Sequence, residues 1–475
     1  MKSAILNCFQ IKNSEPEGRI TLFNKPGIHQ KGQGRMIHKR FALFLAAVLM
    51  LSILPLTAHA DYDYIDITNP FIRKIPLAAQ EFKAVDATEE ELKFSRESVE
   101  LINNTLDFTG YFKMLDSKSF LVDPQKAGII RTDIEFKNWT TIGAELLITG
   151  AIVVKDDIVE MELRLFDTFK TNLLTGKRYK GWVTDQRRMV LRFCSEVIYT
   201  LTGNAGYFDS KIAFVSNGTG NKEIYTCDFD GGNPVQITNH KSITLSPSWS
   251  DDGSWMAYTS YKDGKPDIFI RHLTEKRGYI VNKKGTNITP AFRPGAFELA
   301  ASLTYQGDPD IFLLNGNGDV IKKLTDSWGI DVSPVWAPDG KRIAFVSNRA
   351  GNPQIYTMDL ETGNVERLTF NGKYNTSPSW SPKGDLIAYT ALDKNQFDIW
   401  IIGQDGSNPV KLTDGPGDSE SPTFSPDGTM IAFTSNRDGK YRLYVMTRYG
   451  TEQRKLLTFP GEQYNPRWSR NFLAE

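Results

Sequence analysis

The sequence predicts an α/β N-terminal domain followed by an all-β six-bladed β-propeller of four-stranded blades, closed by the C-terminal strand joining the first blade. Three observations carry that prediction. A strand–turn–strand unit, clearest at residues 332–348 (VSPVWAPDGKRIAFVSN), recurs with its proline at Pro247, Pro290, Pro334, Pro378, Pro422 and Pro466. The interval is 43 residues once and 44 thereafter, and a period in the forties marks an array of one supersecondary unit. The aromatic two residues on keeps the rhythm at Trp249, Phe292, Trp336, Trp380, Phe424 and Trp468. Finally, the first copy lacks its opening strand and the last has only that strand, so the two halves complete one blade.

Composition sets the outer limits. The chain has 475 residues, 40% hydrophobic and 24% charged, which is globular rather than disordered. A formal net charge of zero argues against a nucleic-acid footprint, which needs a basic patch or stripe. The three cysteines, Cys8, Cys194 and Cys227, have no metal-ligand spacing. Cys194 and Cys227 read as free buried thiols.

Taken in order, residues 1–35 are polar and unpatterned, and are expected to be absent from the mature protein. Residues 36–60 read as a secretory signal. A basic start at Met36–Arg40 leads into an apolar run from Phe41 to Leu56 and an Ala58-His59-Ala60 cleavage site. The run is shorter than the ~20 residues of a membrane span, so no direct membrane span is expected. The mature chain then begins at Asp61. In residues 61–72, Tyr62, Tyr64, Ile65 and Ile67 alternate with acidic residues. Such an extended end either docks on its own domain or adds to the sheet edge of a partner.

Residues 73–205 form the small α/β domain. Thr88 to Glu91 is a capping box, with the hydroxyl capping the helix and the glutamate reaching back. Leu92, Val99, Ile102 and Leu106 give the helical stripe over residues 89–106. Thr109-Gly110 stops it. A strand at Tyr111–Leu115 and a short helix near Asp133–Thr141 follow. Then come strands at Leu146–Val154, Ile158–Asp167 and Leu173–Trp182, the first two joined by a hairpin turn at residues 155–157. A second helix covers Asp185–Leu201, with Val190, Cys194, Val197 and Leu201 on one face.

Residues 206–475 are the propeller. In the copy around Pro334, strand A is Ser333–Ala337, strand B Arg342–Ser347, strand C Gln354–Asp359 and strand D Glu366–Thr369. In the Pro338-Asp339-Gly340 turn, Pro presets φ, Asp caps with its carboxylate and Gly takes positive φ. B strands carry Ala213, Ala257, Ala300, Ala344, Ala388 and Ala432. C strands carry consecutive apolar residues such as Ile355-Tyr356, as sheets covered on both faces require. Strands Ile212–Ser216, Glu223–Cys227 and Pro234–Thr238 lack a strand A, which Tyr464–Ser469 supplies. The motif aromatics read as interblade core. The turn at Asp228-Phe229-Asp230-Gly231-Gly232 reads as a polar turn between strands C and D.

No catalytic constellation is present. There is no GxSxG, P-loop, GxGxxG or HExxH, and the mature chain has only His240 and His272. The A strands offer mostly Ser, Pro, Ala and aromatics, with Arg293 and Arg467 as exceptions. A propeller enzyme, or the regulatory propeller of a peptidase, is the alternative class; the first would need ionisable residues on the axis, the second a separate catalytic domain.

The unit SPxWSPDG…IAFxS…IYxMD…LT resembles the repeat of the TolB family, and it lacks the GH and WD dipeptides of WD40 repeats. Residues 174–179 (LTGKRY), Asp185–Arg188 and residues 197–203 resemble that family's domain junction. The likeness covers about residues 61–470. It implies a periplasmic, non-enzymatic scaffold of the Tol–Pal system without a cofactor, monomeric within its complex. It also implies support for outer-membrane integrity and for envelope constriction in cell division. The implied partners are the TolA periplasmic domain at the tail, through Tyr62, Tyr64, Ile65 and Ile67, and the Pal lipoprotein at the propeller mouth. There His240 stands where the family carries a functional histidine, and the other loops between strands D and A present Asn287, Trp328, Tyr374, Asp418 and Tyr464. These side chains serve either as hot spots or as loop packing.

Overall fold

The computed structural model describes residues 73–472. The upstream segment, the signal and the tail residues Tyr62, Tyr64, Ile65 and Ile67 lie outside the described residues.

The α/β domain is built on a mixed sheet. Strands β1 (Ile75–Ala79), β2 (Lys83–Ala84), β3 (Phe112–Met114), β4 (Leu146–Lys155), β5 (Ile158–Asp167) and β6 (Asn172–Trp182) are arranged β3-β1-β4-β5-β6, with β2 on β4. β1 runs parallel to both β3 and β4, while β4, β5 and β6 form an antiparallel meander. The β4–β5 turn uses Asp156 (φ 49°) and Asp157 (φ 62°), the left-handed pair that suits the twist of a two-residue hairpin. β1 and β2 have no counterpart in the sequence reading.

Helix α1 (Glu89–Phe108) crosses this sheet with helix α3 (Gln186–Thr202), and α2 (Phe136–Thr141) lies among Ala78, Leu147 and Phe166. Thr88 caps α1 by accepting from Glu91 N at 3.2 Å. The other half of the expected capping box is not made. The fully buried Glu91 carboxylate instead accepts from the backbone N–H groups of Asp86 and Val154, each at 3.0 Å. Two strand-end amides outcompete the cap because they would otherwise be unpaired.

Propeller strands follow the predicted order A-B-C-D, antiparallel throughout, in six four-stranded sheets. Blade 4 has strands Asp331–Trp336, Arg342–Ser347, Gln354–Asp359 and Val365–Arg367. Blade 1 takes its strand A, Gln463–Trp468, from the end of the chain. Gln463 pairs with Ser216 and Trp468 with Ile212, so the ring is closed as expected. The alanines of the B strands are fully buried, leaving room for the aromatics of the neighbouring blade.

Two details differ from a plain strand reading. Each A strand carries a bulge at the residue before its proline: Ser246, Thr289, Ser333, Ser377, Ser421 and Asn465 all have φ between 47° and 56°. A non-glycine residue in this region costs roughly 1–2 kcal/mol, and interblade hydrogen bonds offset it. Ser333 N donates to Thr289 Oγ1 at 3.3 Å, and Asn465 Nδ2 donates to Ser421 Oγ at 3.2 Å. The D strands are shorter than expected, as at Val235–Gln236. The threonine of the Leu-Thr motif ends the ladder by taking its last amide: Thr369 Oγ1 accepts from Ile355 N at 2.9 Å, and Thr413 Oγ1 accepts from Ile399 N at 3.0 Å.

The two domains share a core. Tyr207 and Phe208, at the junction, pack with Phe108 of α1, Phe229 of blade 1 and Trp468 of the closing strand. Arg187 of α3 grips Asp230 at 2.8 Å and Asp228 at 3.3 Å. The Asp228–Gly232 turn is therefore an interdomain clamp. Lys74 reaches Glu452 at 3.0 Å, and Arg454 lies over the Phe108 ring at 4.2 Å. Cys194 and Cys227 are free and buried.

Candidate binding face

Because consecutive strands are antiparallel, A–B and C–D turns share one face of the ring, and D–A and B–C loops share the other. All the interdomain contacts just described from blade 1 and blade 6 turns lie on the first face. The second face is left open by the described residues.

On this open face the expected contact residues fall into three groups. Trp328 is 75% exposed and Tyr374 41% exposed, Tyr374 resting edge-on against Phe397 at 6.0 Å. These two are exposed on the loop face. His240, Asp418 and Tyr464 are half-buried and already engaged. His240 Nδ1 lies 2.7 Å from Ser260 Oγ, and its ring packs beside the stacked pair of Tyr258 and Phe269. Burial favours the neutral imidazole and lowers its pKa below 6.5. Asp418 Oδ1 accepts from Phe397 N at 3.0 Å. Tyr464 donates to Glu462 at 2.6 Å, lies beside Tyr441 and carries Lys222 over its ring at 4.6 Å.

Asn287 makes up the third group and corrects the expectation. It is fully buried and donates from Nδ2 to Asp267 Oδ1 and to Lys283 O, both at 2.9 Å. Asn375 does the same work one blade pair on, toward Gln354 Oε1 at 2.8 Å and Asn371 O at 2.7 Å. The first residue of strand A braces its loop from inside, so Asn287 is a structural residue.

Further exposed apolar side chains on this face were missed. Phe370 is 70% exposed, Ile243 47%, Ile330 45% and Tyr261 37%. With Trp328 and Tyr374 they concentrate the apolar surface on the two loops flanking blade 4, with Ile243 and Tyr261 at blade 2. A usable signal exists: Phe370 and Ile330 are large apolar residues between the Leu-Thr end of strand D and the next Ser-Pro, where a loop has no core to fill.

Among the described residues no group of three or more His, Cys, Asp or Glu could hold a metal ion, and no helix is long and apolar enough to cross a membrane. The molecule is thus of the class that joins a self-closed six-bladed propeller to a small α/β domain and presents loops for contact.

Comparison places it more narrowly. Residues 198–472 match the TolB beta propeller domain and residues 63–174 the TolB amino-terminal domain, and the chain belongs to the TolB family. It is 52% identical over 291 residues to the Tol-Pal system protein TolB of Desulfosudis oleivorans, a match covering 61% of this chain and 66% of that one. It is 40% identical over 297 residues to the protein TolB homolog of Chlorobaculum tepidum, covering 62% of this chain and 67% of that one. The chain thus spans about two thirds of the length of the curated relatives it matches. The crystal structure of TolB from Acinetobacter baumannii superposes with a TM-score of 0.74 at 25% identity, over 84% of this chain and 97% of that one.

Proposed function

We propose that this protein is a periplasmic, non-enzymatic scaffold of a Tol–Pal envelope system. In this reading the open face of the propeller receives the Pal lipoprotein, and the segment 61–72 receives the periplasmic domain of TolA. The role is support of outer-membrane integrity and of envelope constriction during division. The observation that carries the reading is the open face itself. It gathers exposed aromatic and aliphatic side chains on loops, led by Trp328 and Phe370, while the repeated motif is consumed by packing. Buried aromatic anchors supply most of the energy of such interfaces. The two sites act as a relay: occupancy of the mouth biases whether the tail is docked or released, and that coupling is reciprocal in free energy.

Affinity capture with Pal and TolA from the same organism tests this. The parent protein is expected to retain both. Replacing Trp328 and Phe370 together by alanine should weaken Pal at least tenfold, in keeping with about 2 kcal/mol for a hot-spot truncation, and leave the melting temperature in place. Undiminished Pal binding by that double variant would reject the mouth as the interface.

A further inference from the structure

The fifth residue of each A strand lies at the seam with the next blade, where Ser248 Oγ accepts from Phe292 N and Thr423 Oγ1 from Trp468 N. Five of the six are Ser248, Ala291, Val335, Ser379 and Thr423; the sixth, on the closing strand, is Arg467. This arginine lines a cavity of about 160 Å³ with Ser248, Trp249, Phe292, Arg293 and Arg470. The neighbouring A strand is close, since Trp249 Nε1 donates to Arg467 O at 3.0 Å.

Charges around this cavity do not balance. Arg293 is paired with Glu298 at 2.7 Å and lies over the Trp336 ring, and Arg470 is paired with Asp251 at 2.6 Å. The Arg467 guanidinium has no hydrogen bond, ion pair or ring contact with any described residue. Its five N–H donors are thus left free for a ligand at the cavity that Arg467 lines. Burial alone draws its pKa down to about 10, so it remains a cation at neutral pH. Arg467 is half-buried, and a half-buried charge is best served by a partner of opposite sign. The guanidinium fork matches the oxygen pairs of carboxylate and phosphate groups.

We propose that Arg467 is the principal ligand of a small-oxyanion site inside the propeller, taking a carboxylate or phosphate group. Arg293 and Arg470 add positive potential, and Ser248 forms the facing wall. The cavity shares Ser250, Asp251 and Trp468 with a bowl of about 1200 Å³ on the turn face, which is the route by which an anion enters. The site is on the opposite side of the ring from the open loop face, so an anion bound in it does not touch a partner docked there.

The test is thermal unfolding of the purified protein in chloride, and in inorganic phosphate or acetate at equal ionic strength. Three proteins are compared: the parent, Arg467→Met and Ser248→Asp. Ser248 Oγ accepts from Phe292 N at 3.0 Å; aspartate keeps an acceptor there and adds a carboxylate facing Arg467. Phosphate stabilises folded proteins generally by exclusion from their surface, so the readout is the difference between proteins. A ligand that binds only the folded state raises the parent by several degrees at about 20 mM if its dissociation constant is far below that. Neither variant should show this extra shift, and Ser248→Asp should melt above the parent in chloride. The phosphate and acetate arms separate a tetrahedral from a planar ligand. Equal responses of parent and Ser248→Asp to both anions would overturn the proposal, and that comparison stands even if Arg467→Met does not fold.

Discussion

The two faces of the propeller come from one repeat but obey different rules. On the turn face the chemistry is local and repeated. Asp339 Oδ1 accepts from Lys341 N at 2.8 Å, Asp427 Oδ1 from Thr429 N at 3.0 Å and Asp252 Oδ1 from Ser254 N at 3.1 Å. Gly340 completes its turn at φ 65°. The α/β domain docks on the same side. On the loop face no such rule holds: one loop presents an indole, another a phenyl ring, another two glycines and a proline. Residues that must meet the next blade are held to the period; residues that meet nothing in the chain are free to serve something outside it.

Two tryptophans put that contrast to the test, with closure as the extreme case. Deleting residues 462–475 removes strand A of blade 1, and the largest effect is expected there: loss of the cooperative transition and aggregation through the exposed edge. An unchanged thermal transition would show that closure is dispensable. Trp468→Ala should cost about 3–5 kcal/mol in urea denaturation, since the indole is buried and donates to Ser210 Oγ at 2.7 Å. Arg187→Ala loosens the clamp on Asp228 and Asp230, and an effect of about 1 kcal/mol is expected for a partly exposed pair. It should be read as separation of the two domains' transitions in calorimetry. His240 contributes a pH dependence. Its pKa is held below 6.5 by burial, so the unfolded chain binds more protons between the folded value and 6.5. Stability therefore rises with pH through that window and falls as pH drops below 6.5. His240→Phe should flatten that slope. Trp328→Ala, at the far end of the scale, should leave stability within about 0.5 kcal/mol. A large loss there would mean the loop face is structural after all.

What the sequence made legible follows the same division. Period, strand order and closure could be read because each rests on residues recurring at fixed intervals. The Ile75–Ala79 strand could not: it is a single short run in a mixed sheet with no repeat to compare. Nor could the bulge before each proline, since the residue before a proline ordinarily reads as extended, whereas interblade hydrogen bonds such as Ser333 N to Thr289 Oγ1 help to hold it otherwise. Glu91 shows the limit for caps, because the pattern is right while the carboxylate serves Val154, 63 residues away. On the loop face, the exposure of Trp328 and Tyr374 could be read from their place between strands D and A. Asn287 could not be sorted from them, because its hydrogen bond to Asp267 depends on a fold that brings its loop onto the start of the preceding strand C.

The pairing of Gln463–Trp468 with blade 1 also sets an order of events in time. Lys211 N donates to Ser469 Oγ across 258 residues of chain. Until the last blade's successor strand has been synthesised, blade 1 has no inner edge and the ring no seam. Closing so long a loop adds little to the equilibrium cost, which grows only logarithmically with length, but non-local contacts of this kind slow the folding reaction itself. Completion of the propeller therefore waits on residues 463–468. A chain lacking those residues would miss the Trp468 packing and the inner strand of blade 1, and would be an open, sticky arc.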